Sequence, residues 1–312
     1  MLNRDKVAAT LIGFNTRFNQ AFTEFRNSAD MAAWMALASE IPSNTQIEQY
    51  NWMGTVPAFS EWTDRRKVSK LGNYKFSITN KKWANGIEVD QDDIDDDKLG
   101  IYEPKIRMLA EQAAIHRVNL LVNFLISGFA TTNYGAAYDG LAFFSASHKD
   151  GQGPTQSNLL TATLDDSGAF DSAYKKMLLI QDENGEPAGF KPTHLLCGPN
   201  NRANARAAVM AQYGAYGASN TNFGEVQVIV SPKITGTTTE NYWYLLDLAK
   251  PIKPLLLQMR REVAFRQVGH LGQGGDQPME QFMADKVFFG ADARYNAGYG
   301  LWQCAVGSDG ST

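Results

Sequence analysis

The sequence predicts an α+β fold in which a small α/β lobe is inserted into a lobe built from one long helix and C-terminal strands. Three observations carry this. One is a 3.6-residue apolar period sustained over 102–129. Another is strand–helix–strand alternation over 166–247. The last is a return to extended runs after Pro251: PLLLQMRREVAF, KVFFGADA and YGLWQCAVG. The long helix and the final strands are expected to share one lobe.

From the N-terminus, residues 3–26 read as an amphipathic helix. Leu11, Phe14, Phe18, Phe22 and Phe25 recur every three or four residues, and Asn3 is placed to cap. So many phenylalanines on one stripe require a dock, either the chain's own core or another subunit. A second helix is expected at 28–39, with Met31, Trp34, Met35 and Ala38 on one face, ending at Ile41-Pro42. From Tyr50 the stretch YNWMGTVPAFSEWTDRR is aromatic and broken by Gly54 and Pro57. Extended segments follow at 66–70 and 74–80, joined by a turn at LGN, 71–73.

Charge is segregated here. Residues 65–82 hold seven basic side chains and no acidic one; residues 87–97 hold seven acidic side chains and no basic one. A basic hairpin with an acidic exit suits a limb lying on another chain. Pro104 falls in the first turn of the long helix, where a missing N–H costs nothing. Residues 130–165, rich in Gly, Ala, Ser and Asn, read as loops with short strands. In the inserted block, 171–182 reads as a helix, 193–199 as a buried strand, 201–212 as a helix capped by Asn201, and 226–230 and 242–248 as strands.

The composition narrows the function. The chain has 312 residues, 44% of them apolar, and a net charge of −4, so a dedicated nucleic-acid binder is disfavoured. Cys197 and Cys304 form no CxxC pair and are expected to be buried thiols of a reduced protein. No signal-peptide core or apolar run of about 20 residues is present, so a soluble cytoplasmic product is expected.

Six of the eight residues 90–97 are aspartate. As a calcium loop starting at Asp93, position six would be Lys98 where glycine is needed, and position twelve would be Pro104. Acidic residues before a helix are otherwise explained by its dipole, and a solvated turn is the plain alternative. His116, His148, His194 and His270 make no metal-binding pair; His116 reads as a helix-surface or interface residue. His148 in FFSASHKDG suggests a Ser–His pair, but no G-x-S-x-G elbow presents a serine. GHLGQGG (269–275) and GADARYNAGYG (290–300) match no phosphate-binding motif and read as turns. Trp52, Trp62 and Trp83 are expected to pack against a neighbouring subunit. No cofactor or metal ligand set is assigned, and no enzyme activity is expected. An aromatic arm, a charged hairpin and no catalytic constellation describe a building block.

Several stretches resemble the Mu-like phage major head subunits: YNWMGTVP (50–57) with EWTDR (61–65), the acidic stretch 87–102, YDGLAFFSASH (138–148), WYLLD (243–247) with PIKP (251–254), and FGADARYNAGYGLWQ (289–303). The last is the most specific, and the resemblance covers nearly the whole chain. It implies the tailed-phage capsid fold of the Hong Kong 97 type. Its parts would be an N-terminal arm at 1–58, an extended loop and acidic return at 59–100 (hairpin about 59–89), and a peripheral lobe with a spine helix at 101–165. An axial lobe at 166–247 and return strands at 248–312 would complete it.

The resemblance further implies self-assembly into hexamers and pentamers tiling an icosahedral shell around double-stranded DNA, in the cytoplasm of a bacterial host. Scaffold or protease, portal and decoration proteins are the implied partners, with no membrane. Phe14, Phe18, Trp52, Trp62, Arg65, Arg66, Lys67, Lys70, Asp92, Asp93, Asp95 and Asp96 are the candidate interface residues. Two other readings stand beside this one: an encapsulin-type nanocompartment shell, and a metal-dependent enzyme using Asp90 to Asp97.

Overall fold

The computed structural model describes residues 4–51, 53–54, 76–90, 92–93, 101–151, 153–164, 167–214, 219–268 and 286–311. They fall into two compact units. Unit 1 comprises Met1–Met35, Asn80–Val118 and Met259–Asn296; unit 2 comprises Ala36–Thr79, Asn119–Gln258 and Ala297–Thr312.

In unit 1, helix α1 (Arg4–Arg26) carries the phenylalanine stripe. Phe14, Phe18 and Phe22 are buried. Phe14 meets Phe289 edge-on at 5.5 Å, and Phe18 packs on Phe265 at 4.9 Å. Of the two docks open to this stripe, the chain uses its own core. Helix α2 (Ala29–Met35) is shorter than expected. Ser28 Oγ accepts from Met31 N at its start, but Ala38–Pro42 forms strand β1 instead of a last helical turn. Sheet pairing wins there, because Ile41-Pro42 cannot continue a helix.

Strand β4 (Lys81–Asp90) runs antiparallel to the first ten residues of β12 (Lys286–Tyr299), from Lys81↔Tyr295 to Asp90↔Lys286. β12 is one continuous strand, where the glycines of GADARYNAGYG had suggested turns. Val287, Phe289, Ala291, Ala293 and Tyr295 alternate inward at strand period. The glycines are places of close approach: a Cβ on Gly290 would lie 3.0 Å from Asn85 O, across the ladder from Gly86. The four-stranded sheet has the order β1-β11-β12-β4, where β11 is Leu255–Val268.

Helix α3 (Glu103–Ile126) matches the predicted long helix, less a final 3-10 turn at Ser127–Phe129. At 1.5 Å per residue it is roughly 36 Å long. Its N-terminal part belongs to unit 1 and its C-terminal part to unit 2.

Unit 2 is organised by a five-stranded sheet, order β7-β13-β10-β8-β9. The strands are β7 (Leu159–Leu160), β8 (His194–Cys197), β9 (Gln227–Val230), β10 (Trp243–Leu246) and β13 (Ala305–Ser308). β10 is antiparallel to both β8 and β13, while β8 and β9 are parallel. All four residues of β10 are fully buried, which explains its unbroken apolar reading. Trp243 Nε1 donates to Ala162 O at 2.9 Å. Short strands β5 (His148–Lys149) and β6 (Thr155–Gln156) lie among the loops of 130–165, as expected.

Helix α4 (Ser167–Leu178) begins and ends earlier than predicted. Asp182, expected within it, instead accepts from Asn184 N and Glu186 N and forms a turn with Gly185 at φ 83°. Asn201 precedes α5 (Arg202–Val209), as expected, but makes no side-chain cap; its amide donates to Asn241 O at 2.9 Å. Both cysteines are buried free thiols, and burial pushes Cys197 up to about 12.

Candidate functional site

The features marked by the sequence are the arm helix, the limb at 59–89, the acidic stretch and His148. The described residues on either side of 55–75 come together in unit 2. Strand β2 (Ile47–Gln49) pairs with β3 (Ser77–Thr79), with Glu48 opposite Ile78. Tyr50 N then donates to Phe76 O at 2.7 Å, extending the ladder.

Beneath this root lies a buried polar tie. Tyr50 OH donates to Gln258 Oε1 at 2.8 Å, and Gln258 Nε2 donates to Ile78 O at 3.2 Å. Burial, then the nearby Glu48 carboxylate, raise the Tyr50 phenol to about 12, so it stays a donor at neutral pH. On the near side, Glu48 Oε1 accepts from Ser43 Oγ, Asn44 N and Thr45 N at 2.8–2.9 Å. Those bonds, the backbone ones foremost, pull its carboxyl down to about 2. Gly298 of β12 closes the root from below; a Cβ there would meet Ile78 and Phe76. Sequence reasoning missed Tyr50, Gln258 and Gly298. The available signal was Gln258 itself, one amide inside the apolar run LLLQM.

Trp83, expected against a neighbour, is held within unit 1. Its ring lies 4.4 Å from His116, and its Nε1 donates to Tyr295 O at 2.8 Å. His116, expected at a surface or interface, is half-buried with Nδ1 2.7 Å from Tyr295 OH, and burial lowers its pKa. The reason is register: β4 is laddered on β12, so residues 81–90 of the anticipated limb are sheet.

Phe14 and Phe18 face their own chain. Asp93 accepts from Tyr102 OH, and exposed Asp92 donates its backbone N–H to Asp90 Oδ1 at 3.1 Å. Trp52, Trp62, Arg65, Arg66, Lys67, Lys70, Asp95 and Asp96 lie outside the described residues, as do Asn3, the turn at 71–73 and the stretch 269–275.

His148 is fully buried and bonds Asp139 Oδ2 at 2.6 Å and Phe143 O at 3.1 Å. Its ring stacks on Trp302 at 4.3 Å. Ser147, the neighbour that suggested nucleophilic chemistry, shares its hydroxyl with Ser145. The histidine is a structural tie between the 138–148 loop and the 3-10 turn at Trp302–Cys304. Among the described residues no group of three His, Cys, Asp or Glu could hold a metal, and no helix is long and apolar enough to cross a membrane.

The model of one protein family, described as Mu-like prophage major head subunit gpT, matches residues 7–168, 159–234 and 233–311. The chain belongs to that family. It is 27% identical over 301 residues to the Mu-like prophage FluMu major head subunit of Haemophilus influenzae, spanning 96% of this chain and 72% of that protein. It is 26% identical over 274 residues to the major capsid protein of Escherichia phage Mu, spanning 88% of this chain and 65% of the Mu protein.

In structure this head subunit resembles a chain of the bacteriophage JBD30 procapsid, with TM-score 0.56 and 23% identity over 96% of this chain and 75% of that one. It also resembles a virus-like particle from Pyrococcus furiosus, with TM-score 0.52 and 12% identity over 94% and 98% of the two chains. The fold is therefore that of phage capsid proteins, with the mixed sheets and long helix anticipated. The stretch FGADARYNAGYGLWQ of the head subunit is most of β12 and the start of the 3-10 turn at Trp302–Cys304, where a Cβ on Gly298 would run into Ile78 and one on Gly300 into Lys253 O.

Proposed function

We propose that this head subunit assembles with copies of itself into rings of six and five, which tile a closed shell around double-stranded DNA. The family match over 7–311 carries the proposal. The root supports it: the described strands on either side of 55–75, Ile47–Gln49 and Ser77–Thr79, are laddered together over a buried tie. In the block 166–247, Met210, Tyr213 and Phe223 are 50–63% exposed around a loop tied down by Asn220. Apolar side chains held outward suit contacts about a ring centre. Burial of apolar area contributes about 25 cal/mol per Å², and many copies make weak contacts cooperative.

In this reading Arg65, Arg66, Lys67 and Lys70 of one copy meet Asp92, Asp93, Asp95 and Asp96 of another. Reversing Arg65 and Arg66 to Glu leaves a folded subunit that fails to form shells in negative-stain microscopy. Normal particles would reduce these charges to a solvated face. The net charge of −4 suits a lining that contacts DNA without gripping it. DNA affinity of the purified subunit should be weak; tight binding with a steep salt slope would defeat that part. Scaffold or protease, portal and decoration proteins are the further partners proposed, with assembly in the host cytoplasm. An encapsulin-type shell is distinguished by its contents, protein cargo in place of DNA.

A further inference from the structure

Strand β4 is an edge of its sheet. The order β1-β11-β12-β4 leaves one of its sides without a neighbour, and among the described residues no backbone hydrogen bond reaches that side. All ten of its residues are in register with β12, so half of its N–H and C=O groups point away from the sheet. Edges of this length are normally blunted by proline, a bulge or charge. β4 has no proline and no break in its ladder, and its centre is Ala84-Asn85-Gly86.

Its charges lie at the two ends and have opposite sign. Trp83 and Ile87 are half-buried and Val89 is buried, so one face of the strand turns inward. The other face carries Lys82, Ala84, Gly86, Glu88 and Asp90, all exposed. Glu88 accepts from Lys286 Nζ of β12 at 2.7 Å, which holds its carboxylate on that face.

Backbone geometry limits how two copies of this edge can meet. Residues directly opposite in an antiparallel ladder both turn their N–H and C=O toward the partner or both turn them away. For two identical strands the two-fold axis must therefore pass through a residue. An axis through Asn85 sets Lys82 opposite Glu88, Ala84 opposite Gly86 and Trp83 opposite Ile87. An axis through Gly86 sets Lys82 opposite Asp90 and Trp83 opposite Val89, which is 1% exposed and has no surface left to give. Ile87 still has surface to bury, and an aromatic residue across from a β-branched one stabilises a ladder. In-register parallel pairing would set Lys82 on Lys82 and Glu88 on Glu88, which repel.

We propose that β4 pairs antiparallel with β4 of a second copy about a two-fold axis at Asn85, joining their four-stranded sheets edge to edge. Neighbours round a ring meet head to tail, whereas this contact is isologous, so in the proposed shell it would join one ring to the next. That role rests on the shell reading; the contact itself does not.

The test is oxidation of Asn85→Cys in the purified full chain. Opposite residues lie about 4.5–5.5 Å apart at Cα, within disulfide reach, and Cys197 and Cys304 are buried. A disulfide-linked dimer is expected on a non-reducing gel. Ala84→Cys is the control: it faces Gly86 of the second copy, about 7–8 Å from its own counterpart, and should stay monomeric. Both positions are exposed, so both variants should fold. Carbodiimide coupling of the unaltered chain should link Lys82 to Glu88. At about 3.3 Å per residue these lie roughly 20 Å apart along one strand, so that link reports a second copy. Lys82→Glu should weaken dimerisation several-fold in sedimentation, and Lys82→Arg should retain it. No disulfide at 85, equal disulfide at 84 and 85, or Lys82 linked to other carboxylates in place of Glu88 would each overturn the proposal. Shells are read separately by negative stain: cross-linked dimers that never form shells would defeat the proposed function and leave this contact standing.

Discussion

The limb root makes its sharpest prediction at Gly298. A Cβ placed there would run into Ile78 Cδ1, lie 2.7 Å from Ile78 Cγ1, and lie 3.3 Å from Phe76 Cζ. Ile78 is buried and its carbonyl is held by Gln258, so it cannot simply swing away. Overpacking of this kind costs about 1–3 kcal/mol. A less flexible unfolded chain returns about 0.4–1 kcal/mol, since Gly298 is not among the positive-φ glycines and its backbone admits alanine. Gly298→Ala should therefore destabilise by roughly 1–2 kcal/mol, or about 2–4 °C in Tm per kcal/mol. Ile78→Ala alone should cost about 2–5 kcal/mol through the cavity it leaves. In the double variant the new methyl occupies that cavity and the clash is gone. A double-mutant cycle by urea unfolding should then show favourable coupling of about 1–3 kcal/mol. Strict additivity would refute the reasoning, because it would mean the two side chains do not compete for one space.

Tyr50→Phe leaves Gln258 Oε1 buried without its donor and should cost about 1–3 kcal/mol in urea unfolding, with the fold retained. An unaltered stability would remove the tie from the root. Burial holds the His116 pKa below its ordinary 6.5, so the unfolded chain takes up the proton more readily. The stability this contributes is full above pH 6.5 and declines as pH falls below it. His194, lowered by burial as well, acts in the same direction, so His116→Gln should lessen and not abolish the loss between pH 7 and 5. An identical loss in the variant would exclude His116 as a source. Glu48, held down to about 2, contributes stability that is present above its ordinary 4.5 and lost on acidification. Glu48→Gln should therefore flatten the unfolding profile between pH 5 and 2.

What was legible followed from periodicity. The phenylalanine stripe, the long helix and the apolar β10 run each gave the right element, because burial on one stripe or on both faces writes itself into residue order. What was illegible depended on partners far along the chain. Gly290 and Gly298 look like turn residues until β4 and Ile78 are set beside them. Ala38 looks helical until β11 claims its neighbourhood, with Leu255 N donating to Leu37 O at 3.3 Å. Trp83 looks like an exposed limb residue until the β4–β12 register turns it onto His116. Of the candidate interface, Phe14 and Phe18 could be identified as buried but not by what, and the charges at 65–70 carry no period from which a partner can be read.

Magnitudes separate the two kinds of residue in an assembling subunit. Exposed ion pairs contribute about 0–1 kcal/mol each, so the proposed pairing of Arg65 with Asp92 would do little alone. The proposed effect would come from repetition over many copies, and repetition would add coherently if each copy presented its charges in one geometry. A base free to take several geometries would spread the same charges over many relative positions, and the ordering cost would cancel the gain. The Tyr50–Gln258–Ile78 tie holds the described strands on either side of 55–75, and breaking one buried hydrogen bond costs more than a surface pair provides. Tyr50→Phe should accordingly impair shell formation out of proportion to its loss of subunit stability, at temperatures where the subunit is fully folded. If shells of that variant form at wild-type rate and yield, the limb does not depend on a fixed root and the charges act as a diffuse attraction.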